Sequence, residues 1–497
     1  MKKRFILAAV LAIVLLAAGC GGKHNSSGNT SSGSENAAGG TEYVRDFPSP
    51  AKITTPEMLR SMRLFSKWDR KDTVDQEFCT EITFSGENAS VAGKGAYAEG
   101  AYVTVEQPGD YYITGTTSNG QICVNADITA KIRLIFAGVD MTCKDSACVL
   151  VRMADKVVIT LADGTVNRFA DAGAEYTARG DIYGVDAVIF AKEDLTINGS
   201  GAMTVEAGYA HGICTKDDLV LCGGTVTVTA KDKGLVGEDS VRIRNCDLTV
   251  NAGDDAVHTK TDYKEGKGFI YLESGNVNLS CKDDAMHAAT ALLMEGGNLT
   301  VAECKEGLEA ATVVIGGGEV DITSSDDGVN AAYLLGEEEP YDAAGSTDPH
   351  VQQDAFIRIE NGTLHILADG DGLDTNGTLR IAGGNITVDG PAKEGNAALD
   401  SGCGIYLDGG TVIALGDAAE AESIQTDSKQ RYLQYTFAET LAEGDEIRIT
   451  GPDGTVLYQG TAAKTFSHIT FSSEDMPAGT YTVSAPSLPE GKVIVER

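Results

Sequence analysis

Five short acidic motifs recur in this chain with residue types suited to holding a cation. They read Asp254-Asp255-Ala256-Val257-His258, Asp283-Asp284-Ala285-Met286-His287, Lys305-Glu306-Gly307-Leu308-Glu309, Asp326-Asp327-Gly328-Val329-Asn330 and Gly370-Asp371-Gly372-Leu373-Asp374. Stacked one above another in adjacent strands, such acids would form columns about 4.8 Å apart. Two carboxylates at that distance repel by roughly 3 to 4 kcal/mol at an effective dielectric of 20. Protonation, an inserted lysine or arginine, or a hard cation relieves such a ladder. Calcium suits it best among cations, because it takes about six to eight oxygen ligands, backbone carbonyls at turns included. Asp369, Asp371 and Asp374 also give a Gly370-x-Gly372-x-Asp374 fragment like a calcium-binding nonapeptide. The competing account is turn closure through Asp and Asn side chains, which explains single acids better than repeated doublets. If the apolar residue of each motif points inward, His258, His287, Glu309 and Asn330 form a solvent-facing ladder able to hydrogen-bond a polar ligand or hold a transition metal.

The elements that would position these motifs are short strands. Gly223-Gly224-Thr225-Val226-Thr227-Val228, Gly296-Gly297-Asn298-Leu299-Thr300-Val301, Gly317-Gly318-Glu319-Val320-Asp321-Ile322 and Gly383-Gly384-Asn385-Ile386-Thr387-Val388 repeat a turn followed by apolar alternation. The first inward residues are Met203, Val226, Leu248, Val277, Leu299, Val320, Leu364, Ile386 and Val412, separated by 23, 22, 29, 22, 21, 44, 22 and 26 positions. A period of about 22 is too short for a propeller blade, and no leucine-rich-repeat pattern is present. The expected fold is therefore all-β: a right-handed parallel β-helix solenoid over 101–431, with insertions at Thr261–Lys267 and Gly336–Val351 on one edge. Thr55-Pro56-Glu57 reads as a helix start, and Met58, Leu59, Met62 and Phe65 as its apolar face. Residues 46–100 are accordingly expected to cap the open end of the solenoid. Strands at Leu433–Phe437, Glu446–Thr450, Val456–Tyr458, His468–Phe471 and Thr480–Ser484 predict a small antiparallel β appendage over 432–497.

The N-terminus reads as a lipoprotein export signal. Lys2, Lys3 and Arg4 precede the apolar run Phe5–Ala18, and Ala17-Ala18-Gly19-Cys20 has the small residues of a cleavage site, with Cys20 as the lipidated residue. Residues 1–20 are then the signal, and 21–45, rich in Gly, Ser and Asn, a flexible tether. The expected location is the outer face of the cytoplasmic membrane, anchored by lipid. The net charge of −34 excludes a nucleic-acid partner held by a basic face. Eleven cysteines follow no zinc spacing. Cys222, after Leu219 and Leu221, reads as one of several buried inward thiols.

The acidic motifs, together with Lys192-Glu193-Asp194-Leu195-Thr196-Ile197-Asn198-Gly199-Ser200-Gly201 and His211-Gly212-Ile213-Cys214-Thr215-Lys216-Asp217-Asp218-Leu219, resemble the carbohydrate-binding β-helix proteins of clostridial surfaces. The resemblance runs from about Phe65 to the C-terminus. It implies a right-handed parallel β-helix, bound calcium, affinity for plant polysaccharides such as cellulose and polygalacturonate, and likeness to polysaccharide lyases. Carried over residue by residue, the implied calcium ligands are Asp254, Asp255, Asp283, Asp284, Asp326, Asp327, Asp369 and Asp371. Lys305 departs from the pattern. The expected function is non-catalytic, calcium-dependent binding of an acidic or cell-wall polysaccharide by a monomer, with His258, His287, Glu309 and Asn330 as ligand-binding residues. The alternatives are a calcium-assisted lyase using Lys216, Lys260 or Lys282 as base, and a structural spacer. Trp68, the single tryptophan, leaves Tyr176, Tyr183 and Tyr209 as the few stacking platforms in the coils.

Overall fold

In the computed structural model, the described residues are 54–177, 184–262, 264–333, 351–391, 395–485 and 488–495. Among them the chain is all-β, apart from a helix over Pro56–Ser61 and a 3₁₀ turn over Gln76–Phe78. Strands pair in parallel with the strand one repeat later, in three columns. The first column holds short strands, from Tyr102–Val105 through His211–Thr215 and Val257–His258 to Leu373–Thr375. The second holds short strands such as Lys156–Leu161 and Phe269–Leu272 and the first part of longer ones such as Asp218–Ala230, and the third holds strands such as Cys246–Ala252, Asn298–Glu303 and Thr363–Ala368.

The nine alternating residues picked out above fall in one continuous register: Met203 opposite Val226, then Leu248, Val277, Leu299, Val320, Leu364, Ile386 and Val412. All are buried in a single core to which all three columns contribute. Period-2 alternation places these residues inside and their polar neighbours outside, so each coil buries apolar surface against the next. The recurring glycine pairs have a backbone cause. The turn into the third column needs a left-handed residue, as at Gly297 (φ 91°) and Gly384 (φ 93°), where a Cβ would come within 2.8 Å of the Gly275 and 2.7 Å of the Gly362 carbonyl oxygen. Asn245, at φ 47°, is the one non-glycine residue with positive φ among the described residues, and it occupies the equivalent turn.

The N-terminal helix is not on the open end. It spans only six residues, with Thr55 capping Met58 N–H at 3.3 Å and Pro56 in its first turn. Such a helix is marginal alone. Packing holds it: Leu59, Leu64 and Phe65 are buried against Phe269, Tyr271, Leu293 and Val314 on the outer face of the second column, while Met62 stays exposed. The first coil is covered instead by two antiparallel hairpins, Thr80–Ser85 with Asn88–Ala92 and Ala96–Glu99 with Tyr102–Val105. Cys222 also differs from expectation, because it faces outward and packs under the same N-terminal segment as Val220. At the other end, Phe466–Ser472 pairs antiparallel with Ile405–Gly416, covering an edge that would otherwise template association. Val456–Thr461, Glu446–Thr450, Gly479–Ser484 and Gly491–Val495 form a four-stranded antiparallel sheet beyond it. The signal, the tether, Cys20, Tyr183 and the Gly336–Val351 insertion up to residue 350, with Glu337-Glu338-Glu339, lie outside the described residues.

Candidate functional site

Each acidic motif forms the turn from the third column into the first. The second residue of every doublet stands in one backbone ladder: Gly234 N–H donates to Asp255 O, Ala256 to Asp284, Ala285 to Glu306, Gly307 to Asp327 and Gly328 to Asp371. Those turn carbonyls are thus already engaged, and further oxygens for a cation would come from side chains and water. The doublets divide. The first member faces solvent, as at Asp254, Asp283 and Asp326, while Asp255 and Asp284 are buried and Asp327 and Asp371 nearly so. Three residues on, the outward face of the first column carries Phe190, Cys214 and Val236 and then His258, His287, Glu309, Asn330 and Asp374, in unbroken register. The apolar start of this ladder is buried in an outer cluster with Leu150 and Ala187. The polar part is not the open ladder expected: His258 and His287 are only 17% and 14% exposed, and Glu309 10%.

In the first half of this ladder, protein cations neutralise the acids. Lys233 reaches Asp255 at 2.6 Å and Asp254 at 3.1 Å, and Lys305 reaches Glu306 at 3.0 Å with Asp283 and Asp326 about 4 Å away. His258 Nδ1 lies 2.8 Å from Asp255, and its ring stacks on His287 at 4.8 Å. Burial opposes the charge of Asp255, but His258 and Lys233 outweigh it and hold the carboxyl well below the usual range. His287 Nδ1 faces Asp284 at 2.8 Å and Glu309 at 2.6 Å; burial works against its charge, yet these two carboxylates hold it up at about 10. Asp284 is itself pushed up to about 6 by burial and by Glu309.

The second half carries no such compensation. Asp327, Asp371 and Asp374 bring carboxylate oxygens within 4.8 Å of one another, and among the described residues none of the three has a basic partner within 4 Å. Asp327 accepts only the Asp371 N–H at 2.7 Å, and Asp371 accepts the Ala397 N–H. Burial, then the neighbouring acids, pushes Asp327 up to about 7, Asp371 to about 6 and Asp374 to about 8. Asp400 adds to the charge felt by Asp371 and Asp374, and Glu422 is raised to about 7 by burial and by Asp400. Beside them opens a cavity of about 630 Å³ lined by Ser401, Cys403, Glu420, Glu422, Ser423 and Gln425. An all-oxygen set of this span fits calcium, whose bonds of about 2.4 Å put opposite ligands about 4.8 Å apart.

Asp369 does not join this cluster, because Lys464, in the turn between Val456–Thr461 and Phe466–Ser472, pairs with it. Two of the three lysines named as bases are held in ion pairs. Lys216 is paired with Glu238 at 2.8 Å and lies over the Phe190 ring, and Lys282 is paired with Glu303 at 2.6 Å. Lys267, from the Thr261–Lys267 insertion, instead closes over Asp217, Asp218 and Asp239 at 2.9 to 3.4 Å. Tyr176 and Tyr209 pack on each other at 4.7 Å, and Tyr176 donates to Asp171. Trp68 lies under Lys71. Sequence reasoning missed Lys233, Asp400 and Glu422. Leu399-Asp400 repeats Leu373-Asp374 one coil later, and that was a usable signal.

The site thus sits on parallel strands in three columns, with carboxylates and imidazoles in register along one corner. Residues 99–336 match the family model described as carbohydrate-binding domain-containing protein, the family that the sequence motifs resemble. Asp371 and Asp374 lie beyond the matched stretch. A carbohydrate-binding domain-containing protein of Acetivibrio thermocellus is 28% identical over 200 residues, which cover 40% of this chain and 70% of that one. A solved structure, described as the gadolinium derivative of the polysaccharide lyase-like protein from C. thermocellum, shares 28% identity with a TM-score of 0.44, over 52% of this chain and 98% of the other.

Proposed function

We propose that this chain is a right-handed parallel β-helix that binds an acidic polysaccharide at the cell surface through calcium, without cleaving it. The observation that carries this reading is the uncompensated trio Asp327, Asp371 and Asp374, next to Asp400 and to Glu422, which lines an open polar cavity. A chain of net charge −34 repels a polyuronate. Calcium in the trio, with Asp326 and Asp400 at hand, both neutralises the ladder and leaves coordination positions for a sugar carboxylate. The ion pairs of Lys216 with Glu238 and of Lys282 with Glu303 speak against either of these two lysines as the base of a lyase. Cys20 would tether the coils to the membrane through lipid, as a monomer.

The test uses polygalacturonate with the protein lacking residues 1–45, reading loss of polymer from solution together with absorbance at the wavelength of unsaturated uronates. Calcium-dependent capture without an absorbance rise is the expected result. A rising absorbance would make the chain a lyase, and the absence of both would remove the carbohydrate reading.

A further inference from the structure

The first half of the ladder holds a different donor set from the second, and its chemistry is not that of calcium. His287 Nδ1 stands 2.8 Å from Asp284 Oδ2 and 2.6 Å from Glu309 Oε2, and the three side chains are 14%, 8% and 10% exposed. One ring proton serves two carboxylates there, and no lysine or arginine reaches either of them within 4 Å among the described residues. The neighbouring pair differs, because Lys233 already neutralises Asp255 beside His258. One rung beyond Glu309, the Asn330 side-chain oxygen is buried and accepts no hydrogen bond, while its amide donates to Glu306. His258, stacked on His287 at 22° between planes, fixes the imidazole so that Nδ1 stays aimed at the two acids.

We propose that Asp284, His287 and Glu309 form a site for a divalent transition-metal ion of the zinc type, separate from the all-carboxylate set of Asp327, Asp371 and Asp374. A mixed nitrogen and oxygen set selects borderline cations, whereas calcium gains little from imidazole. A divalent ion balances both carboxylates, which a single proton cannot. Zinc bonds of about 2.0 to 2.2 Å place tetrahedral ligands about 3.3 Å apart. The present contacts must then open by roughly half an ångström, a displacement side-chain torsions supply. The fourth position falls to water. His258 is a positioning residue for this site.

The experiment titrates cobalt(II), then zinc(II), into chelator-stripped full-length protein held in excess calcium, following visible ligand-field absorption and heat. A saturable cobalt spectrum that zinc abolishes and calcium does not is expected. Affinity should fall roughly a hundredfold in Glu309→Gln and in His287→Gln, and stay unchanged in Asp371→Asn. Far-UV circular dichroism checks that each variant is folded, and Glu309→Gln decides the matter if His287→Gln is not. Absence of a saturable spectrum, displacement by calcium, or retention in Glu309→Gln with loss in Asp371→Asn would each overturn the assignment.

Discussion

Stripping calcium should lower the thermal midpoint by several degrees at pH 8 and by little at pH 5, and Asp374→Asn in chelator should melt above the stripped parent at pH 8. The cause is the crowding of Asp327, Asp371 and Asp374 within 4.8 Å, beside Asp400. At an effective dielectric of 20, two such charges cost about 3 kcal/mol. Burial and mutual repulsion raise these carboxyls to about 7, 6 and 8 in the folded chain, against about 3.9 unfolded. A raised folded value means that the folded state binds the proton more tightly. That stability is fully present below about pH 4 and is lost as pH rises through 6 to 8. Calcium takes over from the proton in the upper part of that range, so the bound protein should show a flat profile there. Removing one carboxylate relieves the repulsion and removes the ion together, so Asp374→Asn should gain metal-free stability and lose the response to calcium. Differential scanning calorimetry across this pH range, with and without chelator, reads both. A stripped parent that is equally stable at pH 5 and 8 would contradict the account.

Asp69→Asn should cost about 3 kcal/mol and release the N-terminal segment from the coils. Asp69 is 1% exposed, paired with Lys156 at 2.7 Å, and accepts from Thr196 Oγ and the Ser66 N–H. Its own carbonyl accepts from Asn198. Burial alone would raise its pKa, but Lys156, Thr196 and Ser66 outweigh burial and keep it ionised. Breaking a buried pair strands the surviving charge, which typically costs about 3 to 5 kcal/mol. Here Asp194 at 3.6 Å offers Lys156 partial relief, hence the lower figure. Limited proteolysis between residues 54 and 79 should accelerate in Asp69→Asn, and Asp69→Leu with Lys156→Met should restore most of the protection, since two apolar groups leave no orphaned charge. Equal cleavage in parent and single variant would contradict this.

The repeat was legible because inward residues at a constant offset must stack. The nine residues from Met203 to Val412 proved to be register partners even across the 44-residue gap. The helix was placed wrongly because amphipathicity shows that a face is covered without showing by what. The missing partner was written elsewhere in the chain: Phe269-Ile270-Tyr271-Leu272 and Ala291-Leu292-Leu293-Met294 are apolar without alternation, as strands buried on both faces are. Cys222 follows the same logic, since alternation with Leu219 and Leu221 points it outward toward that covered face. The acidic columns could be read from the motifs, but their division into a lysine- and histidine-neutralised half and a bare half could not. Which acid meets Lys233, Lys305 or Lys464 depends on register and on long-range contacts.

The central claim is calcium-bridged capture of an acidic polymer by the bare half of the ladder. Affinity electrophoresis through a polygalacturonate gel tests it most directly, comparing the parent with an Asp371→Asn and Asp374→Asn double variant in calcium and in chelator. The account predicts retardation of the parent in calcium only and none for the variant. Equal retardation of both proteins, or retardation that survives chelation, would contradict it.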